Sequence, residues 1–132
     1  MHELELTLTA TPTAPGAARE AVRTWFTERY DQETADTATL LVSELVTNAV
    51  VHGTGPGPSL TVDLVANGVI QIAVCDGSHH LPQRQNQVPG AEKAGGLGLF
   101  LIESFAIAWG WEPLRSGKRV WFEIECTSPN RG

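Results

Sequence analysis

Three polar residues in one predicted helix have types and a spacing that could do chemistry. Glu44, Asn48 and His52 are four residues apart, so on a helix they project from one face. A glutamate can accept a proton as a general base, and an asparagine offers a neutral oxygen to a hard cation such as Mg²⁺. An ordinary solvated helix face has the same spacing. The spacing alone leaves both interpretations open and assigns no role to His52.

A second candidate is the segment Asp76-Gly77-Ser78, which directly follows a predicted buried strand. A carboxylate at a strand end can accept a hydrogen bond from an exocyclic amine, such as that of adenine. The glycine lets a ring approach the backbone. An aspartate that only opens a turn fits the segment equally well.

A third candidate is a glycine-rich segment that leads into the last predicted helix: Gly95, Gly96, Leu97, Gly98 and Leu99. Backbone N–H groups at a helix start favour anions, and glycine removes the Cβ atoms that would block a phosphate. Lys93 could add positive charge. A flexible hinge has the same composition. The segment has neither a P-loop motif nor a complete G-x-G-x-x-G, so both of those nucleotide-binding folds are disfavoured.

The elements before and between the first two candidates follow from hydrophobic periodicity. Alternation predicts a strand over 4–9, and apolar residues at helical spacing predict helices over 17–30 and 33–51. Asp31 is a plausible N-cap for the second helix. Asn67-Gly68 separates two alternating segments, which predicts an antiparallel hairpin.

The rest of the chain predicts a long loop, a helix and two strands. The loop covers 77–95, a length typical of functional lids, and the helix continues from Leu99. A strand is expected at 107–112, a turn at Arg115–Lys118 and a last strand after it. The order β-α-α-β-β-α-β-β favours an α+β fold, a mainly antiparallel sheet with helices on one face.

Length and composition limit the class of protein. With 132 residues, 42% hydrophobic and 18% charged, we expect one globular domain over residues 1–132. The net charge of −6 argues against a nucleic-acid-binding surface. No apolar run approaches the ~20 residues of a membrane span. The N-terminus has acidic residues where a signal peptide needs basic ones, so we expect a cytoplasmic protein.

The order of the three candidate segments resembles that of the GHKL ATPases, a superfamily that includes gyrase, Hsp90, histidine kinases and MutL. Glu44-x-x-x-Asn48 is similar to its N box, Asp76-Gly77-Ser78 to its G1 box and Gly96-Leu97-Gly98-Leu99 to its G2 box. The segments SELVTNAVVHG and GWEPLRSGKRVWFE resemble the stand-alone branch of this superfamily. That branch consists of the anti-sigma-factor serine kinases and related ATP-binding regulators of actinobacteria. The resemblance covers nearly the whole chain and implies the left-handed, two-layer Bergerat sandwich.

The resemblance also implies a role for each candidate. Asn48 would bind the Mg²⁺ that bridges the ATP phosphates, and Glu44 would act as general base towards a substrate serine. Asp76 would accept a hydrogen bond from the adenine amine, beside Gly77 and Ser78. The segment Gly95–Leu99 would bind phosphates together with Lys93, and residues 81–95 would form the ATP lid.

One motif departs from the family pattern. The G1 box is usually D-x-G-x-G, and here Ser78 and His80 stand at its two glycines. The serine is a mild change, whereas the imidazole of His80 would crowd or reorder the lid. Neither His80 nor His79 has an assigned role.

The function expected from the resemblance is an ATP-dependent protein serine/threonine kinase. It would phosphorylate an anti-sigma-factor antagonist protein and bind a sigma factor, with no direct contact to nucleic acid or membrane, and it could form a homodimer. One alternative is a nucleotide-dependent protein-binding module without turnover. Another is an interaction domain that binds no nucleotide.

Overall fold

The computed structural model describes residues 1–52, 55–78 and 98–129. Its helices and strands are, in chain order, β1 (Leu4–Thr7), α1 (Ala14–Thr27), α2 (Gln32–His52), β2 (Ser59–Ala66), β3 (Val69–Asp76), α3 (Gly98–Phe105), β4 (Ala108–Leu114) and β5 (Gly117–Glu125). The predicted order of elements is confirmed.

Helix α2 forms where the sequence combines an N-cap with a long apolar stripe. The Asp31 carboxylate accepts a hydrogen bond from the Thr34 N–H at 2.9 Å, which satisfies one of the donors left open at the helix start. The stripe is buried: Ala38, Leu41, Val42, Leu45, Val46 and Ala49. The helix ends at His52, just before Gly53, as glycine after the last turn predicts.

Helix α1 lies three residues earlier than its predicted range. It begins at Ala14 because Pro15 is tolerated in the first helical turn, where its missing N–H has no partner to lose. It ends at Thr27, and Arg29 therefore follows the helix instead of continuing it. The Arg29 guanidinium lies 4.3 Å from the centre of the Trp25 ring and donates to the Trp25 carbonyl.

The strands of the described residues form one five-stranded sheet in the order β1-β2-β3-β5-β4. Every neighbouring pair is antiparallel. Gly68 closes the predicted β2–β3 hairpin with φ of 75°, a left-handed conformation that glycine adopts readily. The last strand therefore lies between β3 and β4, beside the strand that ends at Asp76.

One face of the sheet carries the core and the other carries a network of polar side chains. Alternate strand residues pack against the helices: Leu60, Val62, Ile70, Ile72, Val74, Val120, Phe122 and Ile124. On the opposite face Arg119 donates to Glu112 and Gln71, and Gln71 donates to Glu123. The helices of the described residues therefore lie on one face, which confirms the predicted two-layer α+β architecture.

One local expectation needs correction. The predicted turn Arg115–Lys118 is too long, because Gly117 and Lys118 already belong to β5. Leu64 lies opposite Ile70 in the regular β2–β3 register but is 54% exposed, and the register shifts only after it, between Leu64 and Ala66.

No helix in the described ranges has both the length and the apolar composition to span a membrane.

Candidate functional site

Helix α2 carries the first two candidate residues on the flank of its buried stripe. The helix packs against β3, β5 and α3. Glu44 is half-buried and makes no hydrogen bond or ion pair with the described residues. Burial raises the pKa of the Glu44 carboxyl above its usual value. A carboxyl of this kind holds and releases a proton at a higher pH than an exposed glutamate.

Asn48, one turn further along α2, has a buried polar atom without a partner in the described part of the chain. Its side-chain oxygen Oδ1 is inaccessible to solvent and accepts no hydrogen bond from the described residues. Leaving such an acceptor unpaired costs about 1–3 kcal/mol. Amide oxygens are ligands that Mg²⁺ accepts. The chemistry of this atom therefore fits the predicted metal-binding role.

His52 occupies the last position of α2 and is exposed. Its position leaves its role open, as the sequence did.

The last residue of β3, Asp76, is held in a buried ion pair. Lys118 is its partner in the β3–β5 register, and Lys118 Nζ lies 3.1 Å from each carboxylate oxygen. The side chains are 5% exposed for Asp76 and 9% for Lys118. Asp76 Oδ1 also accepts the Ser78 N–H at 2.7 Å. The Lys118 ammonium and the Ser78 N–H therefore hold the carboxylate in one orientation.

Glycine at position 117 lets β5 approach the end of β3. A Cβ atom there would overlap with the carbonyl oxygen of Asp76 and lie 2.7 Å from the Cα of Gly77. Gly117 also has a φ of 155°, which L side chains rarely adopt. Close backbone contact at this point positions the next residue, Lys118, against the carboxylate.

Lys118 is the site residue that the sequence reasoning missed. The sequence pattern assigns it to the turn Arg115–Lys118. A signal was present, since Lys118 shares the parity of Val120, Phe122 and Ile124 and thus belongs to the inward-facing positions of β5. Extending that alternation back by one step would have placed the lysine on the core side.

Of the third candidate, the glycine-rich segment Gly95–Leu99, the structure describes only the last two residues. Gly98 begins α3 and Leu99 lies in its first turn, and α3 packs against α2 and β4. Lys93, Gly95, Gly96 and Leu97 lie outside the described residues, as do the predicted lid 81–95, His79 and His80.

The described part of the site thus combines two chemistries. The end of β3 offers a fixed carboxylate that can accept a hydrogen bond from an amine. Helix α2, which packs against β3, offers a proton acceptor and an oxygen that suits a cation and has no partner among the described residues. A ligand with an amine-bearing ring and an anionic, metal-bound tail would match both.

Comparisons with known proteins agree with this description. The model of the family described as histidine kinase-like ATPase domain matches residues 8–123. No match was found among curated proteins.

Solved structures with the same fold include the RsbU and RsbW domains of Rv1364c from Mycobacterium tuberculosis, with a TM-score of 0.71 and 23% identity. That match covers 97% of this chain and 33% of the other, so the chain spans about a third of that protein's length. The histidine kinase domain of the blue-light-activated kinase EL346 from Erythrobacter litoralis matches with a TM-score of 0.52 and 19% identity, over 86% of this chain and 60% of that one. The mycobacterial sensor histidine kinase MprB matches with a TM-score of 0.55 and 12% identity, over 97% and 99% of the two chains. At these identities the likeness concerns the fold.

Proposed function

Because this chain belongs to the histidine kinase-like ATPase domain family, we propose that it binds ATP with Mg²⁺ and acts as a regulatory protein serine/threonine kinase. In this proposal it phosphorylates an antagonist protein and binds a sigma factor. The observation that carries the nucleotide-binding part is Asn48 Oδ1, a buried oxygen with no partner among the described residues. Its position on α2 is the one that the family resemblance gives to the metal ligand.

Asn48 would hold Mg²⁺ through this oxygen, and the bound ion would neutralise charge on the phosphates. Asp76 would accept the hydrogen bond of the adenine amine at the end of β3. Gly77 and Ser78 continue the chain next to that carboxylate. The segment Gly95–Leu99 and Lys93 complete the proposed phosphate site.

Glu44 is the proposed general base for the transfer. Its carboxylate would take the proton of the substrate hydroxyl while the hydroxyl oxygen forms a bond to the γ-phosphorus and the bond to the leaving ADP breaks. The raised pKa of Glu44, caused by burial, supports this role, because it brings the carboxyl closer to neutral pH. Phosphoryl transfer otherwise depends mostly on positioning and charge neutralisation.

Support for the partners comes from the sequence. The sequence segments around α2 and β5 resemble those of the anti-sigma-factor serine kinases. One of the solved structures with the same fold contains RsbU and RsbW domains. The proposed partners are therefore a sigma factor and a small antagonist protein with a serine or threonine acceptor. A homodimer is part of the same proposal.

The test is transfer of labelled phosphate from ATP to candidate antagonist proteins in the presence of Mg²⁺. We expect a labelled serine or threonine with the native chain and labelling slower by about 10²–10⁴-fold with Glu44→Gln. The variant Glu20→Gln, on the exposed side of α1, is the matched control and should transfer phosphate normally. Nucleotide binding without transfer to any antagonist would contradict the kinase proposal.

A second candidate function is a nucleotide-dependent protein-binding module without turnover. It is favoured by the departure from the family's G1 box, in which Ser78 replaces a glycine and is buried here. In this case ATP and ADP would change the affinity for a partner while phosphate stays on the nucleotide. Transfer that disappears in Glu44→Gln would exclude this candidate.

A further inference from the structure

An open groove with a volume of about 410 Å³ runs along α1 beside the edge strand β1. It is lined by one residue of β1 and by six residues along α1 and at its C-terminal end: Leu4, Ala17, Glu20, Ala21, Thr24, Trp25 and Glu28. The floor of this groove is apolar, since Leu4 and Trp25 both pack against the core. Neither the family motifs nor the proposed mechanism uses it.

The groove lies apart from the proposed nucleotide site. Strand β1 is the edge of the sheet, two strands away from β3. Leu4 pairs with Val62, which pairs with Ile72, four residues before Asp76. Neighbouring strands are about 4.8 Å apart and a strand rises about 3.3 Å per residue, so Leu4 lies roughly 16 Å from Asp76 along the sheet. The groove can therefore be occupied while the nucleotide site is in use.

The shape of the groove suits a helix better than an added strand. Strand β1 has only four residues, and short edge strands discourage the pairing of a further strand. Along α1, in contrast, the groove extends from Ala17 to Glu28, roughly 16 Å at the rise of a helix. Ala17 and Ala21 lie one turn apart, and such small side chains let the axis of a second helix approach to about 8 Å.

The rim of the groove is acidic. Glu20 and Glu28 are both exposed. Glu28 keeps a helical backbone conformation, with φ of −77° and ψ of −14°, so the two carboxylates are about two turns, or roughly 12 Å, apart along the helix. Glu20 makes no ion pair with the described residues. Glu28 pairs with Arg29 at 3.2 Å, and that guanidinium also covers the Trp25 ring.

The other two arginines of α1 leave the acidic rim uncompensated. Arg19 donates to Ser43 and Arg23 to Asp36, both on α2, so their charges lie towards that helix. A two-fold symmetric contact between two copies through this groove would place its glutamates next to their own equivalents. Like charges and a net charge of −6 disfavour a second copy as the occupant.

We propose that the groove binds an amphipathic helix of a partner protein whose apolar stripe is flanked by lysine or arginine. The apolar stripe covers Leu4 and Trp25, and two basic side chains about two turns apart pair with Glu20 and Glu28. This inference does not depend on the proposed nucleotide binding. The proposed homodimer would use another surface.

The test uses a synthetic helical peptide of about 18 residues, five helical turns, made of alanine, leucine and lysine. Leucines form one stripe, and lysines two turns apart flank it. One control peptide has glutamate at each lysine position, and the other has the same composition in an order that breaks the stripe. Fluorescence anisotropy of the labelled peptides measures their affinity for the full chain. We expect saturable binding of the lysine peptide with the intact stripe, and of neither control.

Variants of the chain separate the groove from general attraction to an acidic protein. Glu20→Gln combined with Glu28→Gln should weaken binding by about threefold to tenfold, the size of two exposed ion pairs. The matched control, Glu33→Gln combined with Glu125→Gln, removes the same charge from exposed residues outside the groove and should keep the native affinity. Ala21→Trp fills the groove and should weaken binding more than tenfold.

Three results would overturn the proposal. The first is no binding of the lysine peptide, or equal binding of the glutamate peptide. The second is an equal loss of affinity in the two double variants. The third is a native dimer that Ala21→Trp dissociates, measured by analytical ultracentrifugation, because a second copy would then occupy the groove.

A measurement on the native chain covers the case in which Ala21→Trp does not fold. The chain has four tryptophans, so ¹⁵N-tryptophan labelling gives at most four indole signals, and Trp25→Phe identifies that of Trp25. We expect the lysine peptide to shift the Trp25 signal. Trp121 is the internal control, since it lies beside Gly110 on the opposite face of the sheet and its signal should stay in place. A peptide that shifts Trp121 and not Trp25 overturns the inference.

Discussion

At the scale of single residues, the site contains polar groups whose burial costs the fold free energy. Glu44 is half-buried without a partner among the described residues, and Asn48 Oδ1 accepts no hydrogen bond from them. Asp76 and Lys118, by contrast, satisfy each other at 3.1 Å. Groups that destabilise the folded chain in this way are concentrated at functional sites. Replacing Glu44 or Asn48 should therefore lower function without lowering the stability of the fold.

The first prediction concerns the activity of Glu44. Glu44→Gln should lower phosphoryl transfer by about 10²–10⁴-fold, the usual contribution of a general base, while ADP affinity stays near the native value. In the native chain the initial rate should rise with pH through the raised pKa of Glu44, because only the ionised carboxylate accepts a proton. Initial rates over the acidic to neutral range, with ADP titrations of both chains, measure these effects. A pH-independent native rate would contradict the assignment.

The second prediction concerns the stability contributed by the same carboxyl. Its pKa is raised in the folded state, so the folded chain binds this proton more tightly than the unfolded chain does. The stabilisation is full below the usual glutamate pKa and is lost as the pH rises through the raised value. Glu44→Gln should therefore be more stable than the native chain at neutral pH and lose that advantage in acid. Denaturant unfolding at both pH values measures it, and Glu20→Gln should show no such difference.

The third prediction concerns Asn48. Asn48→Ala removes a buried oxygen that accepts no hydrogen bond from the described residues, so the unfolding free energy without nucleotide should stay equal or rise. The same variant should lose the Mg²⁺ dependence of ATP affinity. The adjacent half-buried Thr47→Ala is the control and should keep that dependence. A clear loss of stability in Asn48→Ala would indicate a structural role for the amide instead.

At the scale of elements, the site depends on where β3, β5 and α2 meet. Helix α2 buries one stripe in the core and carries Glu44 and Asn48 on its flank. Strand β5 pairs with β3 over eight residue pairs and ends that pairing at Asp76 and Lys118. The glycine before Lys118 permits the close approach of the two strands. The geometry of the ion pair is thus a property of the β3–β5 pairing.

The fourth prediction tests this approach through Gly117. In Gly117→Ala the new Cβ meets the Asp76 carbonyl oxygen, so the end of β3 must move. We expect a loss of more than about 1 kcal/mol in unfolding free energy together with weaker ADP binding. Gly16→Ala in α1 is the control, because its Cβ would have only the Arg19 guanidinium nearby, at 3.6 Å. That variant should be stabilised by about 0.5–1 kcal/mol, with native ADP affinity. Both are measured by denaturant unfolding and calorimetry.

At the scale of the whole molecule, an acidic chain is proposed to bind an anionic nucleotide. The net charge is −6, so the positive charge that meets ATP must be local. Lys118 is a buried cation at the site, but its charge is committed to Asp76. The positive charge that meets the ATP phosphates is therefore proposed to come from Mg²⁺ at Asn48, from backbone N–H groups of the glycine-rich segment, and from Lys93.

The fifth prediction concerns ligand-linked stability. At a free ADP concentration of a hundred times Kd, binding to the folded chain alone adds about 2.7 kcal/mol to the unfolding free energy. For a chain of 132 residues this raises Tm by roughly 10 °C. Thermal melts with and without Mg²⁺ should show the shift and its metal dependence, and Asp76→Asn should reduce it. No shift at saturating ADP would favour an interaction domain that binds no nucleotide.

Much of the fold follows from local patterns in the sequence. The buried stripe of α2, the Asp31 cap and the Asn67-Gly68 hairpin were predicted because periodicity, capping and turn chemistry depend on residues close in sequence. The start of α1 was not, although proline is tolerated in the first turn of a helix. The start of β5 was not either, because the pairing of Lys118 with Asp76 joins residues distant in sequence. The roles of Glu44, Asn48 and Asp76 stay predictions from motif and resemblance.

The sequence by itself determined which elements form and which residue types could do chemistry on them. Only the tertiary structure decided that Lys118 lies against Asp76, 42 residues away. The reason is the strand order, in which β5 is inserted between β3 and β4. Strand order and register are set by packing of the whole sheet on the helices, and no local pattern near either residue specifies them.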